Sequence, residues 1–150
     1  MQFQPYRSSR VTVLILAVVA LLLGCGGPGV GDHTPRLPTA DAASANVVLW
    51  VSNQSFDDES VQITIKIDGR TVVDQGFDVE GQHNWIKFPL AADPGSHEFT
   101  VTSNTGARLV DKLLVPETGL RYGLVDYWWE RQGGGRYFDF QTSDQPFAFA

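Results

Sequence analysis

Residues 60–73, SVQITIKIDGRTVV, decide the fold. Val61, Ile63, Ile65 and Ile67 alternate with Gln62, Thr64, Lys66 and Asp68. Successive side chains of a strand point to opposite faces, so this spacing sets four branched aliphatics on one face and polar groups on the other. Asp68-Gly69 supplies the two residue types that tolerate the left-handed backbone of a tight hairpin turn, and Thr71-Val72-Val73 begins the return strand.

Working outward, the same two-residue period predicts strands at 47–52, 83–88, 97–103, 107–115, 120–130 and 136–141. They are separated by Asp93-Pro94-Gly95, Asn104-Thr105-Gly106, the stretch from Pro116 to Gly119, and Gly133-Gly134-Gly135. No window shows sustained helical spacing. The expected body is therefore all-β: an antiparallel β-sandwich, immunoglobulin-like or jelly-roll, of about 7–8 strands over residues 46–150. A composition of 43% hydrophobic and 19% charged residues suits one globular domain. All the aromatics except Phe3 and Tyr6 fall in this body. With a single cysteine there is no internal disulfide, so most of these rings are expected to be structural, a handful of them making the central layer between the sheets.

The opening of the chain has a different character. Arg7 and Arg10 precede an apolar run from Val11 to Leu23, interrupted only by Thr12, and Gly24-Cys25 follows. Thirteen helical residues span about 20 Å, short of the roughly 30 Å of a bilayer's hydrocarbon core, so an export signal is the expectation over a permanent span. Leu22-Leu23-Gly24-Cys25 resembles the lipobox of bacterial lipoproteins. The resemblance implies that residues 1–24 are a cleaved signal peptide and that the Cys25 thiol carries diacylglycerol. It also implies a new amino terminus acylated by a long chain such as palmitate. Two such chains contribute on the order of 20 kcal/mol of burial at about 0.8 kcal/mol per CH₂, which makes a stable anchor. Gly26 stands where the inner-membrane retention signal of such lipoproteins has Asp. The implied location is the outer membrane in a Gram-negative cell, or the cell membrane in a Gram-positive one.

Residues 26–45, GGPGVGDHTPRLPTADAASA, offer only Val30 and Leu37 as sizeable apolar groups and read as a flexible tether behind the lipidated cysteine. Twenty residues reach roughly 25 Å as a coil and up to about 60 Å when extended. The short pattern of IDG at 67–69 with PGSHEFTV at 94–101 is similar to small bacterial envelope sandwich modules and implies fold class alone.

Charge limits the partners. The chain carries 11 basic and 17 acidic side chains, a net −6. Removing residues 1–24 takes away Arg7 and Arg10, leaving 9 basic against 17 acidic, a net −8. That sign excludes phosphate neutralisation, hence nucleic acid, and leaves membrane attachment to the lipid on Cys25. An envelope protein or a glycan remains as the partner. Neither a GxSxG nor an HExxH pattern occurs, and His83 and His97 stand apart on predicted strands, so no catalytic residue, metal site or cofactor is assigned. Asp57-Asp58-Glu59 lacks calcium-loop spacing and reads as a solvated loop.

The hairpin around the three glycines is where a ligand is expected. Trp128 and Trp129 are neighbours on one strand and cannot both face the same core. With the odd-numbered face outward, Tyr127, Trp129 and Tyr137 form a platform beside Arg131, of the kind on which sugar rings stack or partner proteins dock. The alternative is that the outer aromatic packs under a loop or under the tail that contains Phe147 and Phe149. The expectation is a membrane-anchored envelope lipoprotein whose non-catalytic sandwich binds or scaffolds. The alternative is a carbohydrate-binding module using Tyr127, Trp128, Trp129, Arg131 and Tyr137.

Overall fold

The computed structural model describes residues 40–41, 43–79 and 84–148. Cys25 with its lipobox, nearly all of the tether, His83 and Phe149 lie outside the described residues. Eight strands follow in order: β1 (Val47–Asn53), β2 (Ser60–Ile67), β3 (Arg70–Asp78), β4 (Ile86–Leu90), β5 (Gly95–Ser103), β6 (Arg108–Val115), β7 (Arg121–Glu130) and β8 (Gly135–Ser143). They form two four-stranded sheets, ordered β4-β1-β7-β8 and β3-β2-β5-β6.

The β2–β3 hairpin is built as its sequence dictates. Val61, Ile63, Ile65 and Ile67 are buried, and Asp68 (φ 49°) and Gly69 (φ 75°) both take the left-handed turn conformation. Beyond the turn, Lys66 pairs with Thr71 but Ile65 pairs with Val73, so Val72 is an extra residue in the ladder. This bulge lets three consecutive side chains, Thr71, Val72 and Val73, be buried, which strict alternation forbids. Pro89, with no N–H to give, sits on β4, an edge strand of its sheet. All pairings are antiparallel except β1 with β7, which runs parallel from Val47–Arg121 to Asn53–Tyr127. Parallel neighbours need a long connection, supplied here by the excursion of the chain through the other sheet.

The core is mainly branched aliphatic, with a few aromatic bridges between sheets. Phe99 of β5 stacks on Phe140 of β8 at 4.2 Å, and Phe77 of β3 meets Phe88 of β4 edge-on at 6.2 Å. Where Phe140 needs room, the chain has Gly123: a Cβ there would stand 2.7 Å from Leu49 Cδ2 and 3.3 Å from Phe140 Cε2. At the start of the body, the Asn46 amide donates to Ala92 O at 2.7 Å and accepts from Ala92 N at 2.9 Å, while its carbonyl accepts from Arg121 N at 2.9 Å. Asn46 thus ties the entry of β1 to the β4–β5 turn through its side chain and to β7 through its backbone carbonyl.

A second tie closes the same end. His97 Nδ1 donates to Asp68 Oδ2 at 2.6 Å and Nε2 donates to Asp93 O at 2.7 Å. Carboxylate and carbonyl are both acceptors, so both bonds are made together when the ring holds a proton on each nitrogen, as the imidazolium. The hydrogen bond to Asp68 raises the His97 pKa, and the same bond, with that from Glu98 N, lowers the Asp68 pKa.

Two outcomes follow from this packing. Gly123→Ala overfills the contact with Leu49 and Phe140 and is expected to cost about 1–3 kcal/mol in urea unfolding. For the His97 tie, the raised pKa means its contribution is complete below the unfolded value near 6.5 and fades as pH rises through the folded value. The lowered Asp68 pKa makes that contribution present above about 3.8 and lost as pH falls through the folded value. The melting-temperature gap between the natural protein and His97→Gln should therefore be widest between about pH 4 and 6.5, and narrow by pH 9.

Candidate functional site

Strand β7 is central in its sheet, and its parity decides what the hairpin shows to solvent. Gly123, Val125 and Tyr127 face the core, so the even-numbered side chains face out. The platform of Tyr127 and Trp129 expected on the odd face is therefore not built. Tyr127 is 0% exposed, its ring edge-on to Phe138 at 5.5 Å.

Its phenol ends a directed chain of hydrogen bonds. Ala107 N donates to Ser103 Oγ (3.2 Å), Ser103 Oγ lies 2.7 Å from Thr105 Oγ1, and Thr105 Oγ1 lies 2.9 Å from the Tyr127 hydroxyl. That hydroxyl donates to Asp58 Oδ2 at 2.6 Å. A carboxylate only accepts, so each hydroxyl in the series donates towards Asp58. Arg136 completes the site with Nε on Asp58 Oδ2 at 2.8 Å and Nη2 on Oδ1 at 3.0 Å. These donors, Arg136 first and Tyr127 next, hold the Asp58 carboxyl below its ordinary pKa. Asp57 pairs with Arg131. The acidic loop is thus bound into the hairpin, where the sequence suggested simple solvation. The Asn53 amide also anchors it, donating to Asp58 O at 2.7 Å and to Phe77 O at 3.3 Å.

Trp129 and Arg131 belong to this latch and not to a platform. Arg136 lies 4.0 Å and Arg131 5.2 Å from the centroid of the Trp129 ring, a cation–π arrangement.

What the hairpin presents outward is a different pair. Trp128 of β7, 37% exposed, stands opposite the half-buried Tyr137 of β8. The Tyr137 hydroxyl donates to Glu130 Oε1 at 3.0 Å, which raises the Tyr137 pKa. One step along the same face, Asp126 lies opposite Asp139, whose Oδ2 accepts from Gln141 Nε2 at 2.7 Å. Asp126 is largely buried: Ser52 Oγ and Trp85 Nε1 each donate to its Oδ1 at 2.7 Å. Loss of water raises its pKa, the two donors counter this, and Asp139 adds to the rise. Farther across the sheet, Lys87 lies 4.3 Å over the Trp50 ring. Outward, then, the face carries Trp85, Trp128 and Tyr137 with Asp126, Glu130, Asp139 and Gln141. Of these, only Trp128 and Tyr137 were singled out by sequence reasoning. Asp126 has the parity of Trp128, which was a usable signal, but Asp139 and Gln141 required the register.

Elsewhere, a hollow of about 520 Å³ against β5 and β6 is lined by Ser96, His97, Glu98, Val110, Asp111 and Lys112. It assembles no nucleophile with its base, because both His97 nitrogens are committed as donors and adjacent strand residues such as Ser96 and His97 face opposite ways. Among the described residues no three His, Cys, Asp or Glu side chains converge as metal ligands. Phe147 of the tail is half-buried. Compared with known proteins, the chain matches no family model, no curated protein and no solved structure.

The two tyrosines of the hairpin separate latch from face. Removing the buried hydroxyl with Tyr127→Phe breaks the chain to Asp58 and is expected to destabilise by about 1–2 kcal/mol. Tyr137→Phe, at the surface, should leave the urea midpoint within error. A comparable loss in both variants would contradict the assignment of faces.

Proposed function

We propose that this chain is an exported lipoprotein, anchored through lipid on Cys25, whose sandwich works by binding a ligand on the outer face of the β4-β1-β7-β8 sheet, without catalysis. The observation that carries the binding half is the outward pair Trp128–Tyr137 set among carboxylates and an amide. Aromatics at the surface are among the residue types from which interfaces draw most of their energy. The anchoring half rests on the order of charge, apolar run, small residue and cysteine from Arg7 to Cys25. The location is the outer membrane of a Gram-negative envelope or the cell membrane of a Gram-positive one. An envelope protein would suit such a surface. The glycan reading is favoured by one further feature: Asp139, with Gln141 bonded to it, lies one step along the face from the rings, and carboxylate and amide are partners that sugar hydroxyls use.

Fractionation tests the anchor: Cys25→Ser should move the protein from the membrane pellet to the soluble fraction, and an unchanged distribution would sink it. For the ligand, retention of the natural protein on a panel of insoluble cell-wall glycans should fall at least tenfold with Trp128→Ala. No retention on any glycan would overturn the sugar reading and leave a protein partner.

A further inference from the structure

We propose that the outer face of the β7–β8 hairpin binds a glycan carrying free, protonated amino groups, with the sugar ring stacked on Trp128 and Tyr137 and its ammonium groups held by Glu130 at one end of the ring pair and by Asp139, beside the buried Asp126, at the other. This rests on the glycan reading above and names the chemistry of its ligand.

The argument is one of charge and position. Strand residues two apart lie about 7 Å from each other on the same face. Trp128 is thus flanked along β7 by Asp126 on one side and Glu130 on the other, and Tyr137 is flanked along β8 by Asp139. The ring pair lies between rows of carboxylates at a distance that an amine borne on a stacked ring can span.

The cations closest in sequence do not offset this charge. Arg131 and Arg136 are turned to the opposite side of the hairpin, where they bind Asp57 and Asp58 and cover Trp129. Lys87 sits over Trp50, with the β1 strand between it and β7. Like charges directly opposite in a sheet are unfavourable, yet Asp126 faces Asp139, and the buried Asp126 has given up water to be there. An ammonium bound at Asp139 offsets that repulsion, and the ring faces attract the same charge. An uncharged or acetylated sugar satisfies the aromatics and leaves the carboxylates as they were.

The test titrates the full chain, solubilised in detergent, with three probes of equal length: a glucosamine hexamer, its fully N-acetylated counterpart and hexalysine. The glucosamine hexamer is expected to bind at least tenfold more tightly than the other two and to weaken severalfold when salt is raised to 0.5 M. Trp128→Ala should abolish binding. Glu130→Gln and Asp139→Asn should each weaken it severalfold and narrow its advantage over the acetylated hexamer, with circular dichroism reporting that each variant is folded. Equal affinity for the two sugars would overturn the amine assignment while leaving the glycan reading in place. Binding of neither sugar would overturn the amine assignment, with retention on the cell-wall glycan panel deciding the wider glycan reading. Hexalysine binding as tightly as glucosamine would show that charge alone is read, and would overturn the stacked ring.

Discussion

Tyr127 donates its proton to Asp58 while its ring lies among the core residues, and this contact fixes which side of β7 is inside. A strand slipped by one residue would exchange every side chain between core and solvent. On β7 that exchange would turn Asp126, Trp128 and Glu130 to the core and Val125 and Tyr127 away from it. Which face goes inside is settled by what each can satisfy. Only one parity gives the phenol both a hydrophobic slot beside Phe138 and a carboxylate at its tip. The exposed aromatic pair is a consequence of that choice.

The same latch arranges the charge. Asp58 takes three donor contacts from Arg136 and Tyr127, and Asp57 takes Arg131. Surface ion pairs stabilise little singly. Here their larger effect is on direction, because they draw both arginines of the hairpin to its inner end. The outer end keeps Asp126, Glu130 and Asp139, so a hairpin that carries both signs in sequence becomes acidic on one side.

How much of this was legible depended on range. The eight strands and the Asp68-Gly69 turn follow from alternation and turn chemistry within a dozen residues, and both are present. The bulge at Val72 and the parallel β1–β7 pair were not legible, since neither leaves a local mark. The face of the hairpin failed for a sharper reason. Alternation says that Trp128 and Trp129 part ways, and only the partner of Tyr127, 69 residues away at Asp58, says which goes where. The acidic loop misled in the same manner, its arginines lying 74 and 78 residues downstream. His97 looked solitary for want of Asp68, 29 residues upstream.

A flat sheet face with one aromatic pair is a modest binding surface, and the tether makes that sufficient on the reading proposed here. Cation–π contacts at exposed positions are worth about 0.5–1 kcal/mol each, and a few of them with screened ionic contacts reach only the range of millimolar to micromolar dissociation constants. Holding the domain and a polymeric ligand at the same surface turns each later contact into a local one, with an effective concentration in the millimolar range for a short flexible linker. On that reading, a lipid on Cys25 and a chain rich in Gly, Pro and Ala would supply the confinement without a deep pocket. The sandwich then needs only rigidity at the hairpin, and its directed hydrogen bonds end there, on Asp58 beneath the face they hold in place.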